Sequence, residues 1–537
     1  MAFRCTSLLV CALACSAGAA VADPAAQAIV GGLPAATLKA GESRLHPLTA
    51  SAGDFIRGKI LPSRGRIDLD LVACGDSRHV RRFHSSLGGV GDFLFVVGDD
   101  PSCLRVTAHG ADATYDVKID LRLPPAAQVA PARRYLSPAI ARAAESVATG
   151  ASTDAFWADV VRAGTPLIEP GVDEKTRTVT FLARGAQHNV RLFGAPGGDH
   201  DLLERLGTSD IWFKSYVLPT TTRIAYQLAA DVPEVPGTDR ERRVVLVATA
   251  KADPFNPHAW PADAPDAFGR KSVLELSDAP AQPWVTERAV AKGTLQRFVL
   301  ASTKLGNERD IAIYRPPGFR AGAANTVLLF VFDADAYLTK VPTPTILDNM
   351  LAAGRLPPTV AVFIANPDAA ARARELPGNP DFADFMAKEL LPRVLRETGL
   401  RHDPKRTVLA GSSFGGLASA FIALRHPNAF GNAISLSGSF WWHPVKADPT
   451  RPEYVADLVA STPRKPVRFF LTAGLFERQR LPSSGGILET VRHLRDVLTA
   501  KGYHVTYRDY AAGHDYYVWR GALSDGLETL FGKDARR

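Results

Sequence analysis

The chain has 537 residues, 46% of them hydrophobic and 22% charged, the composition of an ordinary folded protein, which excludes a largely disordered chain. Its length exceeds what one hydrophobic core organises, and at about 150 residues per unit it predicts three or four structural units. The formal charge of +8 comes without any run of Lys or Arg, which argues against nucleic acid as a partner and leaves an anionic small molecule or a solvated basic surface.

At the N-terminus Arg4 precedes an apolar run over residues 8–14 and small residues ending Ala20-Val21-Ala22 before Asp23. This pattern predicts a secretory signal over 1–22, too short to act as a stable membrane anchor, and hence an exported mature chain without a transmembrane segment. Cys15 follows Ala12-Leu13-Ala14, a poor lipobox, so a lipid-anchored form is the less favoured alternative. Of the five cysteines only Cys74 and Cys103 lie beyond the signal. In an exported protein they predict one disulfide, the alternative being two free buried thiols. No CxxC or His/Cys cluster suggests a metal site, and no cofactor is predicted.

Residues 36–125 carry short alternating runs at 66–73, 93–97 and 115–121 between Gly, Asp and Ser turns, the pattern of a β-sandwich. A Pro- and Ala-rich linker with a short helical stretch follows over 126–150. Strand patterns at 178–182, 189–193, 212–217 and 222–227 predict a second β-sandwich over 151–285. Within it, the Pro/His/Trp cluster of Asp253-Pro-Phe-Asn-Pro-His-Ala-Trp260 reads as a plug for a domain seam rather than a chemical site.

From 286 to 537 the pattern changes. Continuous apolar runs at 327–332, 359–365, 407–410, 433–436 and 467–473 alternate with helical stretches such as 383–397 and 487–501, as in a parallel sheet covered on both faces. The expected architecture is a doubly wound, mostly parallel α/β hydrolase preceded by two β-sandwich domains. Within it, residues 407–426 read as strand, sharp turn and helix, with Gly411-x-Ser413-x-Gly415 at the turn. Such a nucleophile elbow holds a serine hydroxyl above the sheet's edge.

Acyl transfer at a serine needs a base for its proton and an acid to orient that base. In this fold they follow in the order serine, acid, histidine. His514, after Gly513 at a strand exit, is the expected base. Glu477 is preferred as the acid over Asp515, whose neighbouring position in sequence makes it a poor partner for Nδ1, with Asp509 a third option. The oxyanion donors are expected to be the backbone N–H of Phe414 and one from the loop 332–337, at Ala334.

These residues, with Gly164-Thr-Pro-Leu-Ile-Glu-Pro170, Arg372-Ala-Arg-Glu-Leu-Pro-Gly-Asn379, Ser437-Gly-Ser-Phe-Trp-Trp442 and Gly513-His-Asp-Tyr-Tyr-Val-Trp-Arg-Gly521, resemble the enterochelin (ferric enterobactin) esterase family over about 150–532. The resemblance implies hydrolysis of the trilactone backbone of a catecholate siderophore by Ser413, Glu477 and His514. Two departures stand out. Asp333-Ala334 replaces the family's usual Asp-Gly, and the signal with the extra first sandwich marks a periplasmic variant. A ferric tris-catecholate carries about three negative charges, so the resemblance further implies cationic and aromatic contacts from Arg372, Arg374, Arg520, Trp441, Trp442 and Trp519. Alternatives are a general carboxylesterase or acyltransferase of the same fold, and a non-catalytic siderophore-binding protein.

Overall fold

A computed structural model of the chain describes residues 31–128, 133–197, 200–444, 453–478 and 485–533, so the expected signal over 1–22 lies outside the described residues. The chain divides into two compact units, Met1–Arg133 and Arg134–Arg537.

The first unit has two four-stranded antiparallel sheets. Alternation along Phe55–Arg64 turns Ile56 and Ile60 inward, where they join Leu69, Leu104 and Val106 of the other sheet in one core. Cys103 pairs across the sheet with Val72, two residues before Cys74, and the two cysteines are bonded with their Cα atoms 5.1 Å apart.

The second unit begins with the helices Pro138–Ala148 and Asp154–Ala163. Two antiparallel sheets follow, whose main strands are Thr176–Arg184 with Ile211–Pro219 and Val190–Gly194 with Arg223–Ala230. They share one core through Val179, Phe181, Leu192 and Tyr226. Sequence reading sets a boundary at 285, yet both sides belong to one unit because a polar and aromatic seam joins them. Lys271 pairs with Asp515 and Tyr517 donates to Glu275. Trp260, in the expected plug, lies 5.2 Å from the Tyr517 ring.

The unit's largest sheet has eight strands: β1 (Thr294–Ser302), β2 (Asn307–Arg315), β3 (Val327–Phe332), β4 (Thr359–Ile364), β5 (Thr407–Ser412), β6 (Asn432–Leu436), β7 (Arg468–Gly474) and β8 (His504–Tyr510). Their order is β1-β2-β4-β3-β5-β6-β7-β8, parallel from β4 onward. The apolar run of β3 is continuous because both its faces are covered. Val327, Leu329 and Val331 enter one core, and Leu328, Phe330 and Phe332 the other. The helical stretch expected at 383–397 extends from Pro380 to Thr398 through one π-helical turn at Met386–Leu390.

Three strands of this sheet are each followed by a non-glycine residue with positive φ: Asp333 after β3 (57°), Ser413 after β5 (57°) and Ser437 after β6 (48°). Each such turn costs roughly 1–3 kcal/mol and persists only where its surroundings over-determine it. These turns lie at the carboxyl ends of the parallel strands, the edge where sheets of this kind place their ligands. No helix among the described residues is long and apolar enough to cross a membrane.

Two outcomes test this organisation. The 29-residue separation of Cys74 and Cys103 makes their bond worth about 3–4 kcal/mol to the first unit by loop-closure entropy, so the C74S/C103S variant should lower that unit's stability by this amount in denaturant titration. At the seam, burial would raise the Glu275 carboxyl, but hydrogen bonds from Arg223 and Tyr517 outweigh it and hold it below its usual value. Its stabilisation is therefore fully present above the unfolded value near about 4.3 and is lost as the pH falls through the lowered one. Glu275→Gln should lower the melting temperature at pH 7 and weaken its further fall as the pH drops below the unfolded value.

Candidate active site

The turn at Ser413 is imposed by backbone crowding. A Cβ on Gly411 would come within 2.7 Å of the Gly415 carbonyl carbon, and one on Gly416 within 2.8 Å of Ser435 Oγ and 3.0 Å of the Gly438 Cα, so only glycine fits at either place. The turn is bolted to the end of β6 and the loop beyond it. Ser413 N–H donates to the Leu436 carbonyl at 3.0 Å, and the Ser413 carbonyl accepts from Ser439 N–H at 3.1 Å. Its hydroxyl lies 3.3 Å from that of Ser439. Helix Phe414–Arg425 starts immediately after.

His514 sits on the loop between β8 and helix Tyr516–Phe531. Its Nδ1 donates to Glu477 Oε1 at 2.5 Å, and Oε2 of that carboxylate accepts the Gly474 N–H at 2.6 Å. Glu477 is only 3% exposed, so both oxygens have their partners inside the protein. With Nδ1 donating, Nε2 is the nitrogen left to accept a proton. The imidazole meets Trp519 edge-on at 4.7 Å, and the Trp519 indole donates to Ser437 Oγ at 3.0 Å, locking the ring that supports the histidine. Gly513 is required here because a Cβ would approach that of Ala195 to 2.5 Å.

The other two candidate acids have different partners. Asp515 caps the helix Tyr516–Phe531 by accepting the Tyr517 N–H at 2.8 Å and pairs with Lys271, while Asp509 is bound by Arg492 at 2.6 Å and by Tyr507.

A cavity of about 380 Å³ opens at His514 and Glu477. Phe193, Trp441 and Phe476 give it aromatic walls, and Arg223, Arg243, Lys271 and Arg478 also line it. Arg223 is held by Glu275 at 3.0 and 3.1 Å, and Arg243 meets His200 Nε2 at 2.7 Å. Of the aromatic and cationic residues expected at the substrate, Trp441 alone lines this cavity, with 36% of its surface exposed.

The other five are engaged elsewhere. Arg372 forms a forked ion pair with Asp333, at 2.6 and 2.8 Å. Burial disfavours its charge, but the Asp333 bond more than compensates and raises its proton affinity. Arg374 is exposed and contacts Glu375 at 3.4 Å. Arg520 lies in the seam, 4.0 Å over the Tyr517 ring, with Nε on Gln282 at 2.7 Å. Trp442 packs edge-on to Tyr454, and Trp519 supports His514. The cavity cations carried no signal in the sequence. Arg223 and Lys271 lie on strands of the preceding sheets, where a single charge looks like any solvated residue.

The first residues of two helices, Phe414 and Ala334, follow the turns after β5 and β3, and their N–H groups have no acceptor within their own helices. A parallel sheet of this order, with an imidazole–carboxylate pair at its strand ends beside a cavity, defines an esterase of the α/β-hydrolase type. The esterase family model matches residues 302–530, and that of the enterochelin esterase N-terminal domain matches 178–285. The chain belongs to the enterochelin, or iron(III) enterobactin, esterase family. It is 32% identical over 428 residues to the iron(III) enterobactin esterase of Dickeya dadantii, covering 72% of this chain and 94% of that one. Among solved structures, the ferric enterobactin esterase of Salmonella typhimurium is 27% identical with a TM-score of 0.58, covering 70% of this chain and 98% of that one. The enterobactin esterase of Shigella flexneri, crystallised in the presence of enterobactin, is 26% identical with a TM-score of 0.55, covering 70% and 97%.

The partners of the three carboxylates separate their roles. Glu477→Gln should cut ester turnover by about 10²–10⁴-fold with little change in melting temperature. Asp515→Ala, which removes a helix cap and an ion pair, should instead cost about 1–2 kcal/mol of stability and reduce turnover less than about tenfold. Paired kinetic and thermal-melt measurements on the two variants check both.

Proposed function

We propose that this chain is an exported serine esterase, an α/β hydrolase preceded by two β-sandwich domains, that opens the trilactone of a catecholate siderophore, ferric or iron-free, in the periplasm. The observation that carries the reading is the His514–Glu477 pair at the mouth of a cavity walled by both aromatic rings and cations. A catecholate offers flat rings and anionic oxygens, the two features such walls recognise. Phe193, Trp441 and Phe476 are suited to the rings, and Arg243, Lys271 and Arg478 to the oxygens.

In this mechanism Ser413 Oγ attacks a lactone carbonyl while His514 Nε2 takes its proton, and Glu477 stabilises the imidazolium through Nδ1–H. The tetrahedral oxyanion is received by the N–H groups of Phe414 and Ala334. Its collapse breaks the ring's C–O bond, and His514 returns the proton to the leaving alkoxide. Water then enters by the same route, giving its proton to His514 and freeing the acid from Ser413. Family membership and the two solved relatives support the substrate class. The signal pattern at 1–22 and the Cys74–Cys103 bond support the compartment, since disulfides persist in oxidising spaces.

Ser413→Ala and His514→Ala should each lower trilactone cleavage, followed by chromatography of the linear products, by at least about 10⁴-fold with unchanged circular dichroism. Full turnover in Ser413→Ala would end the serine-esterase reading. Arg243→Ala and Arg478→Ala should raise KM for the ferric siderophore about tenfold and leave KM for a neutral short-chain ester unchanged. Equal effects on both substrates would sink the catecholate assignment of this cavity.

A further inference from the structure

The loop that leaves β6 passes beside Ser413 before it reaches the cavity wall at Trp441. Ser437 opens it with positive φ, and Gly438 follows where a Cβ would stand 2.5 Å from Ser435 Oγ and 2.6 Å from the Phe440 ring. No side chain fits there, so the course of the chain into the next residue is fixed. That residue is Ser439, 2% exposed. Its N–H donates to the Ser413 carbonyl at 3.1 Å, and its own carbonyl accepts the Trp442 N–H at 3.0 Å. The backbone of Ser439 is therefore held on both sides.

Its hydroxyl lies 3.3 Å from Ser413 Oγ, and among the described residues neither hydroxyl has another hydrogen-bond partner. A serine hydroxyl has one proton to give and two lone pairs with which to accept. Acyl transfer sends the Ser413 proton to His514 Nε2, so in the reacting state the bond between the two serines runs from Ser439 to Ser413 Oγ. Their separation exceeds the roughly 2.7–2.8 Å of an ordinary hydroxyl pair, which leaves the bond room to shorten as charge gathers on the acceptor. Burial of Ser439 keeps water from taking its donor and strengthens the bond it makes.

We propose that Ser439 is a further catalytic residue, whose hydroxyl donates a hydrogen bond to Ser413 Oγ whenever that oxygen carries charge. This rests on the reading of Ser413 as nucleophile and goes beyond it. In acylation the O–H bond of Ser413 breaks toward His514 while the new C–O bond forms, and Ser439 stabilises the charge that Oγ carries between the two events. In deacylation the bond from the acyl carbon to Oγ breaks, its electron pair returns to Oγ, and His514 supplies the proton. Ser439 keeps its own proton throughout. In the free enzyme and in the acyl-enzyme Oγ is a neutral hydroxyl or ester oxygen, a weaker acceptor. The bond is thus strongest in the transition states of both steps, which places its effect on kcat rather than KM.

The test measures kcat and KM on a neutral nitrophenyl butyrate and on the ferric siderophore across a pH series. The rate of covalent labelling by a neutral nitrophenyl alkyl phosphonate, which needs attack by Ser413 alone, is measured beside them. In Ser439→Ala, kcat on both substrates and the labelling rate should each fall about 10- to 100-fold, with KM within about threefold of the parent. The pH midpoint of kcat/KM should stay where it is, since His514 and Glu477 are untouched. Ser439→Cys keeps the side-chain volume but is a weak donor, so it should show losses of the same kind and carries the test if Ser439→Ala does not fold. Unchanged rates per folded molecule would overturn the proposal in favour of a purely structural serine. Faster labelling would overturn it too, by showing that Ser439 holds the Ser413 hydroxyl away from its base. A shifted pH midpoint, or a rise in KM confined to the siderophore, would overturn it in favour of a contact with His514 or with substrate. Ser413→Ala, run alongside, reports separately on the nucleophile: turnover retained there refutes that reading, whereas loss there with full turnover in Ser439→Ala refutes only the role of Ser439.

Discussion

Backbone crowding at the end of β5 is the constraint on which the rest of the site depends. Because Gly411 and Gly415 come closer than any side chain allows, the chain must turn at Ser413 with positive φ, and the strand passes into its helix without an intervening loop. That strain is held by the bonds from Ser413 to Leu436 and Ser439, which belong to the next strand and its exit. The turn, the loop after β6 and the Trp519–Ser437 bond therefore form one connected support, and His514 leans on it through Trp519.

A second constraint comes from outside the hydrolase sheet. The glycine before His514 presses on Ala195, and Phe193, Arg223 and Lys271 face the same cavity as the imidazole. The sheets that precede the hydrolase are thus part of the site's wall. Their attachment uses polar pairs, Lys271 with Asp515 and Glu275 with Arg223 and Tyr517, beside the Trp260–Tyr517 ring contact. Partly buried pairs of this kind fix register more than they add stability, which suits a seam whose geometry sets the shape of a cavity.

The cations differ in their surroundings. Arg372 and Arg520 meet protein groups in forked or stacked geometry, where arginine is the better choice, while Arg243 and Arg478 line the cavity from exposed positions. The net positive charge is therefore not one feature. Part of it holds the fold together, part faces the cavity, and Arg223 and Lys271 do both.

The strand–turn–helix at 407–425 was legible in the sequence because glycine spacing and apolar runs are local consequences of the backbone. The same holds for the continuous apolar strands, whose two covered faces leave no room for polar alternation. That Glu477 and His514 both follow strand ends could be read from the same pattern. Partnerships between distant residues could not. Arg372 and Asp333 are 39 positions apart, and Lys271 and Asp515 are 244 apart. Nothing in an isolated arginine or lysine says whether it will meet a carboxylate, a ring or a ligand. Only the folded chain, by bringing Asp333 under Arg372 and Ala195 against Gly513, decided which cations support the site and which line its cavity, because those contacts depend on packing across elements rather than on any periodicity within them.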